Sequence, residues 1–321
     1  MLLIGADEAG YGPNLGPLVV AATAWEVPDG ESPSDLYAEL SDVLTPDADG
    51  LNRSPARLPV ADSKRLYASG SGLDALERGV LALAGTLDMH PRTWRELWPR
   101  LAPGSRSPWE TAPWYETHEA ATPVGVPVEQ VLEWTGRLGR RFERGGARLK
   151  AIRAATLFPD EFNTRVDAAG GKGVVLSETT LSLVRDVMAG LPPGRVGVSC
   201  DKHGGRNRYG ELLQRHWPDD WIEVRGEGRE CSRYRWGPAS RRVEFEFRVG
   251  GEANLPCALA SMVAKYLRER AMEAFNAFWC ARLPALQPTA GYPVDARRFR
   301  REIAALQQEL AISDRVLWRN K

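Results

Sequence analysis

The chain has 321 residues, of which 43% are hydrophobic and 26% charged; this excludes disordered and fibrous classes and fits one large globular core with additions. Lysine plus arginine equals aspartate plus glutamate at 42 each, so no net positive field draws the chain to nucleic acid, and any such binding rests on a local basic face. Cys200, Cys231, Cys257 and Cys280 stand singly, without zinc-ligand spacing, and are expected as buried thiols of a reducing compartment. The opening MLLIGADEAG lacks the basic start of a signal peptide and the length of a membrane span, so a cytoplasmic protein with no membrane partner is expected.

Residues 2–6 form an apolar run that ends in Asp7-Glu8 and then Gly10, Gly12, Pro13 and Gly16, which predicts a buried strand opening into a glycine-rich turn. A second strand is expected over Leu18–Val27, with no helix between the two. The stretch from Pro28 to Pro59 is polar, with Leu36, Leu40 and Val43 at the spacing of a short amphipathic helix. VADSKRLY and a helical GLDALERGVLALAGTL follow.

From about 88 to 145 the pattern is irregular, and an inserted subdomain is expected there. Its Trp94, Trp98, Trp109 and Trp114 read as packing of a small core in preference to platforms for base stacking. A strand is expected at Arg148–Phe158, a helix at Leu181–Leu191, and a strand RVGVSCD that ends in Asp201. Two glycines then lead into a helix.

In RVEFEFRV, Val243, Phe245, Phe247 and Val249 share one face, which predicts a half-buried strand. After Gly250-Gly251-Glu252 a helix is expected with Pro256 in its first turn and an inward stripe of Leu259, Met262, Val263, Tyr266 and Leu267. A loop and an amphipathic helix make up the tail. Strands and helices interleave, but the early strand-turn-strand lacks a crossover, so the fold class is α/β with a mixed central β-sheet flanked by helices.

Three acidic sites fall where strand-like runs stop: Asp7-Glu8, Asp201 and Glu252. Strand ends are where α/β sheets usually bind ligands. Neighbours on a straight strand point to opposite faces, so Asp7 and Glu8 serve one site only if the chain bends, which Gly10 and Gly12 would permit. Such a carboxylate cluster suits Mg2+ or Mn2+, hard cations that take oxygen ligands. Each carboxylate by itself is more readily read as ordinary surface or loop charge.

GADEAGYGPNLGPLVVAA, ADSKRL, GEANLPCALASMVAKYLRERAM and AGYPVDARRF together resemble, in order, four motifs of the type 2 ribonucleases H, the ribonuclease HII and HIII group. The resemblance implies a ribonuclease H-like fold over 1–275, interrupted by the insertion, with a C-terminal helical extension over 276–321 packed on the same domain. It implies that Asp7, Glu8, Asp201 and Glu252 are catalytic and bind the metal. Gly10, Tyr11 and Gly12 would lie against the RNA strand, reading the 2′-hydroxyl that separates RNA from DNA. Ser63, Lys64 and Lys265 would meet phosphates, and Tyr292 would stack on a sugar unless it is a core tyrosine.

The implied function is a metal-dependent endoribonuclease, expected as a monomer, that hydrolyses the RNA strand of RNA–DNA hybrids or acts on DNA with embedded ribonucleotides, leaving 5′-phosphate and 3′-hydroxyl ends. The chain departs from the family at Tyr11, where arginine or threonine is usual, at Glu252 and Glu269, where aspartate is usual, and at Val294, where threonine is usual. DKHGGRNRY after β-strand residue Cys200 is also unusual. These departures keep two alternatives: a binding protein of this fold without turnover, or a nuclease for another nucleic-acid structure. His203, Arg206 and Arg208 are equally readable as groups that assist phosphate or product and as solvated turn residues. Arg140, Arg141, Arg144, Arg148, Lys150 and Arg153 are the candidate local basic face, with solvated surface as the commoner reading.

Overall fold

A computed structural model describes residues 1–30, 35–47, 56–67 and 72–320. The polar stretch between Pro28 and Pro59 therefore lies partly outside the described residues. The chain opens with β1 (Leu2–Ala9) and β2 (Leu18–Glu26), then a short helix α1 (Leu36–Glu39) and a two-strand pair, β3 (Leu44–Thr45) with β4 (Leu58–Pro59). Helices α2 (Ser63–Leu66), α3 (Asp74–Gly85), α4 (Trp94–Leu101), α5 (Pro113–Glu116) and α6 (Val128–Glu143) precede β5 (Arg148–Leu157). Next come α7 (Pro159–Ala169), α8 (Lys172–Ala189), β6 (Val196–Asp201), α9 (Gly210–His216), β7 (Glu223–Glu227), β8 (Cys231–Trp236) and β9 (Val243–Arg248). The chain ends in α10 (Leu255–Arg282), α11 (Pro293–Glu309) and α12 (Asp314–Leu317).

Seven strands form one sheet in the order β5-β2-β1-β6-β9-β8-β7. β1 is antiparallel to β2 and parallel to β6, β6 is parallel to β9, and the β7–β8–β9 pairings are antiparallel. This is the expected mixed sheet, and the two-residue period of its strands divides the core in two. Leu3, Val19, Ala21 and Trp25 pack on the face covered by α10, whereas Leu2, Ile4, Ala6, Leu18 and Val20 pack on the face covered by α8. Gly5 sits where a Cβ would overlap the backbone of Pro256 and Cys257, so the start of α10 lies directly on β1. Thr23 Oγ1 donates to the Pro256 carbonyl at 2.8 Å, which fixes β2 to the same turn.

Helix α10 carries Pro256 in its first turn, and Asn254 caps it by accepting the Cys257 N–H at 3.2 Å. Its expected inward stripe is buried, and the helix runs unbroken through residue 276, where the C-terminal extension was expected to begin. Phe299, Ile303 and Leu317 of the tail join the same core. Trp94, Trp98 and Trp114 are buried there too, Trp94 edge-on to Trp98 at 5.1 Å and Trp114 edge-on to Phe275 at 5.1 Å. Their rings are therefore closed to nucleic-acid bases.

Some expectations need correction. The helix expected at 181–191 begins at Lys172; the Gly171–Gly173 stretch hides its first turn from a propensity reading. Val249 falls just past β9 and is exposed. Cys200 and Cys257 are buried, but Cys231 and Cys280 are only partly so, and all four are free.

Candidate active site

The acidic residues meet through sheet register. β1 and β6 pair in parallel up to Ala6 opposite Cys200, so the next residue on each strand, Asp7 and Asp201, ends level with the other. β9 pairs Arg248 with Asp201, and a left-handed Gly250 then turns the chain into a short 3-10 segment, Gly251–Ala253, that carries Glu252. Asp201 Oδ1 accepts the N–H groups of Gly250 at 3.0 Å and Gly251 at 3.3 Å. The Asp201 carboxylate thus holds the loop that presents Glu252.

The bend that Gly10 and Gly12 would permit does not fall between Asp7 and Glu8. β1 pairs with β2 through Asp7–Ala21, Glu8–Val20 and Ala9–Val19, so strand alternation sends the two side chains to opposite faces. Asp7 turns toward α10, where it accepts hydrogen bonds from the Ser261 hydroxyl and the Glu8 N–H. Glu8 faces the other side, near enough to Tyr11 to hold that phenol's pKa up after burial has raised it. The four carboxylates nevertheless share one region without a bend: Asp7, Asp201 and Glu252 all act on the Glu8 carboxyl across the adjoining ends of β1, β6 and the loop after β9.

Burial pushes the Asp7 carboxyl up to about 7 against those hydrogen bonds, and the Asp201 and Glu252 charges push the same way. Glu8 is raised well above the usual carboxylate range, first by burial and then by Asp7 and Asp201. Glu252 is raised by burial and by Asp201 and Asp62, and its Oε2 is buried without a hydrogen-bond partner. The exposed Lys64 ammonium supplies a nearby positive charge. Burial works to lower its pKa, and the carboxylates of Asp62, Asp7, Glu252 and Asp201 outweigh that and raise it.

Among the described residues, no three histidine, cysteine or acidic side chains form a ready-made metal-holding group. The donor chemistry nevertheless suits a hard divalent cation: the groups are carboxylates, they repel one another, and one oxygen is orphaned.

The remaining expected residues are placed as follows. Ser63 is buried and its hydroxyl lies 3.0 Å from that of Ser261, whose own hydroxyl bonds the Asp7 carboxyl. Lys265 is engaged with Glu269 at 2.6 Å and lies over the Tyr67 ring at 4.5 Å. Gly12 is exposed and the Tyr292 ring stands beside it, with Tyr292 54% exposed; the core reading of that tyrosine is thereby overturned. Gly10 has φ +92°, and a Cβ there would lie 2.5 Å from the Pro17 carbonyl oxygen and 2.8 Å from Arg268 Nε. Tyr11 reaches toward the start of α8, with Lys172 Nζ 4.6 Å from its ring centre.

His203 is 4% exposed, hydrogen-bonded to Ser177 at 3.0 Å, and burial, then Arg206, pushes its pKa down to about 3. It is neither a solvated turn residue nor a proton carrier at neutral pH. The basic stretch is spread along the sheet. Arg148 pairs with Glu26, which pairs with Leu2, so it is displaced from Asp7 by five residues, about 17 Å along the strand direction, whereas Arg153 pairs with Ala22, which pairs with Ala6, and so stands level with the carboxylates two strands away. Arg148 and Lys150 are bound to Glu26, and Arg141 to Asp42 and Glu39.

Sequence reasoning missed Ser261, Asp62, Arg268 and Arg319. Asp62 and Ser261 lie inside the quoted motifs, and their polar atoms at the start of one helix and on the inner face of another were the available signal. Asp62 caps α2 by accepting the Lys64 N–H at 3.1 Å. Arg319 is 1% exposed, and its guanidinium donates to the carbonyls of Gly10 and Pro13. Nothing local marks it in the sequence.

No family model matches the chain, and no curated protein matches it. Similarity to solved structures is found. The chain is similar to ribonucleases HII and H3. A chain of the PCNA:RNase HII complex from Archaeoglobus fulgidus matches at 16% identity over 99% of this chain and 93% of that one, with TM-score 0.45. Ribonuclease H2 from Pyrococcus horikoshii matches at 14% over 99% and 92%, TM-score 0.42. Aquifex aeolicus RNase H3 matches at 15% over 98% and 70%, TM-score 0.42.

Proposed function

We propose that this chain is a metal-dependent endonuclease of ribonuclease H type that hydrolyses the RNA strand of an RNA–DNA hybrid, or cuts at ribonucleotides embedded in DNA, leaving 3′-hydroxyl and 5′-phosphate ends. The observation that carries the reading is the parallel pairing of β1 with β6, which brings Asp7 level with Asp201 while Glu252 is delivered from the loop that Asp201 holds. The ordered motifs of the sequence support it independently.

Asp7, Glu8, Asp201 and Glu252 would hold Mg2+ or Mn2+. Bound divalent cations would supply activation of the attacking water and stabilisation of the leaving oxygen in an in-line displacement. The chain's own groups do the rest. Ser261 and Ser63 fix the Asp7 carboxylate, and the exposed Lys64 ammonium is free to meet a phosphate. Gly12 lets a sugar-phosphate backbone come close, beside the Tyr292 ring.

The test is cleavage of labelled duplexes with one ribonucleotide, with continuous RNA opposite DNA, and with DNA alone, each in magnesium, manganese and chelator. Metal-dependent cutting of the ribonucleotide-containing strand, lost in Asp7→Asn with folding intact, is expected. The departures at Tyr11, at Glu252 and in the loop after Asp201 favour one rival, a hybrid-binding protein without turnover; binding of the hybrid with no cutting in either metal would establish it.

A further inference from the structure

The loop Gly10–Pro17 between β1 and β2 is organised from inside by two buried guanidinium groups. Arg319 donates to the Gly10 and Pro13 carbonyls, and its backbone N–H donates to the Asn14 carbonyl at 2.8 Å while Asn14 Nδ2 returns a bond to the Arg319 carbonyl at 3.2 Å. Arg268 takes the Leu15 carbonyl at 3.3 Å and that of Ala290 at 2.9 Å. The N–H groups of Asn14 and Leu15 go to the Gly291 carbonyl. Arg319 otherwise lies over the Phe162 ring at 4.9 Å, and its Nε and Nη1 have no partner.

A guanidinium buried against carbonyls and an aromatic ring is costly, and a hydrocarbon side chain would fill the space at lower cost. What the charge accomplishes is the orientation of the loop. The peptide joining Gly10 to Tyr11 is a rigid plane in which C=O and N–H point in opposite directions. Drawing the Gly10 carbonyl toward Arg319 therefore turns the Tyr11 N–H away from the interior, and that N–H donates to no described residue. It emerges next to the exposed Gly12 and on the strand end that carries Glu8.

We propose that Arg319 is a positioning residue that determines sugar specificity: by holding the Gly10 carbonyl inward it presents the Tyr11 N–H as a preformed donor to the 2′-oxygen of a ribonucleotide. The inference rests on the nuclease reading for its substrate class. It also makes the C-terminal segment part of the substrate loop, since Trp318 bridges to Leu15 and Asn163 Nδ2 binds the Arg315 and Trp318 carbonyls.

The test uses the full chain and Arg319→Met, with Arg319→Lys as the charge-retaining companion. Binding to a duplex with one ribonucleotide and to the same duplex in DNA is measured with calcium, so that the comparison does not depend on turnover. In a folded Arg319→Met, the affinity for the ribonucleotide duplex is expected to fall about tenfold, the worth of one hydrogen bond, while affinity for DNA stays unchanged and amide exchange over residues 10–15 accelerates. An unchanged ribose-to-deoxyribose ratio overturns the proposal, as a merely structural role would lower the folded fraction and leave that ratio alone. Should both variants fail to fold, exchange in the wild type decides: the Tyr11 N–H is expected to gain protection with the ribonucleotide duplex and not with DNA, and equal protection overturns the proposal. A wild type that binds with ribose preference but does not cut removes the nuclease reading and leaves the role of Arg319 standing.

Discussion

The hydroxyls of Ser63 and Ser261 lie 3.0 Å apart, joining two segments 198 residues distant in the chain. The Ser261 hydroxyl also bonds the Asp7 carboxyl and lowers its pKa against burial, so Ser261 links Ser63 to Asp7. Replacing Ser261 by alanine strands a buried hydroxyl and a buried carboxylate together. The variant is expected to lose about 1–3 kcal/mol of stability and to cut hybrids at least several-fold more slowly, as read by urea unfolding and steady-state cleavage.

Asp7 gives a pH dependence of definite sign. Its carboxyl is pushed up to about 7 in the fold from an ordinary value of 3.8. Between those values the folded state binds more protons than the unfolded state, so this group favours folding at low pH and that stability is lost as pH rises toward 7. In chelator, Asp7→Asn is therefore expected to melt above the wild type at pH 8, with the gap closing by pH 5. Magnesium should raise the wild-type melting temperature at pH 8 and leave the variant nearly unmoved; equal shifts in both proteins would remove Asp7 from the metal site.

Gly10→Ala tests the loop from the other side. The positive φ penalises any side chain, and the added methyl would meet the Pro17 carbonyl oxygen and Arg268 Nε. A loss of about 2 kcal/mol or more is expected in urea unfolding, with activity falling more than the folded fraction does.

His203 should remain neutral from pH 8 down to pH 5, since its pKa is pushed down to about 3. The unfolded chain takes up a proton near 6.5 while the folded chain does not, so this group costs stability progressively as pH falls below about 6.5. Ring resonances that do not shift over that range in an NMR titration, together with a smaller acid loss of stability in His203→Gln, are the expected results.

Trp114→Ala probes the insertion. The ring is buried against Phe275 of α10, so its removal should cost about 3–5 kcal/mol. Hybrid affinity per folded molecule should stay unchanged, whereas a tryptophan that stacked on bases would lose affinity as well.

The sequence by itself determined the strands that alternate and the helices that carry their own caps: the apolar run before Asp7, Val243–Phe247, and the Pro256 start of α10 all form where their spacing placed them. Those features are local, since pleat and helical turn repeat over two to four residues and leave their period in the chain. The acidic candidates were legible too, because Asp7-Glu8 follow the apolar run of β1, Asp201 ends β6 and Glu252 follows the end of β9.

Only the tertiary structure decided how they combine. That Asp7 stands level with Asp201 depends on β1 pairing in parallel with β6, and that Arg148 lies at the far end of the sheet depends on the β1–β2–β5 register. Glu8 faces away from Asp7 because the β1–β2 ladder continues past both, where glycines at 10 and 12 suggested a bend. Arg319 meets Gly10 across 309 residues. Pairing and register are fixed by the burial of whole faces, a collective outcome that no short window of sequence records.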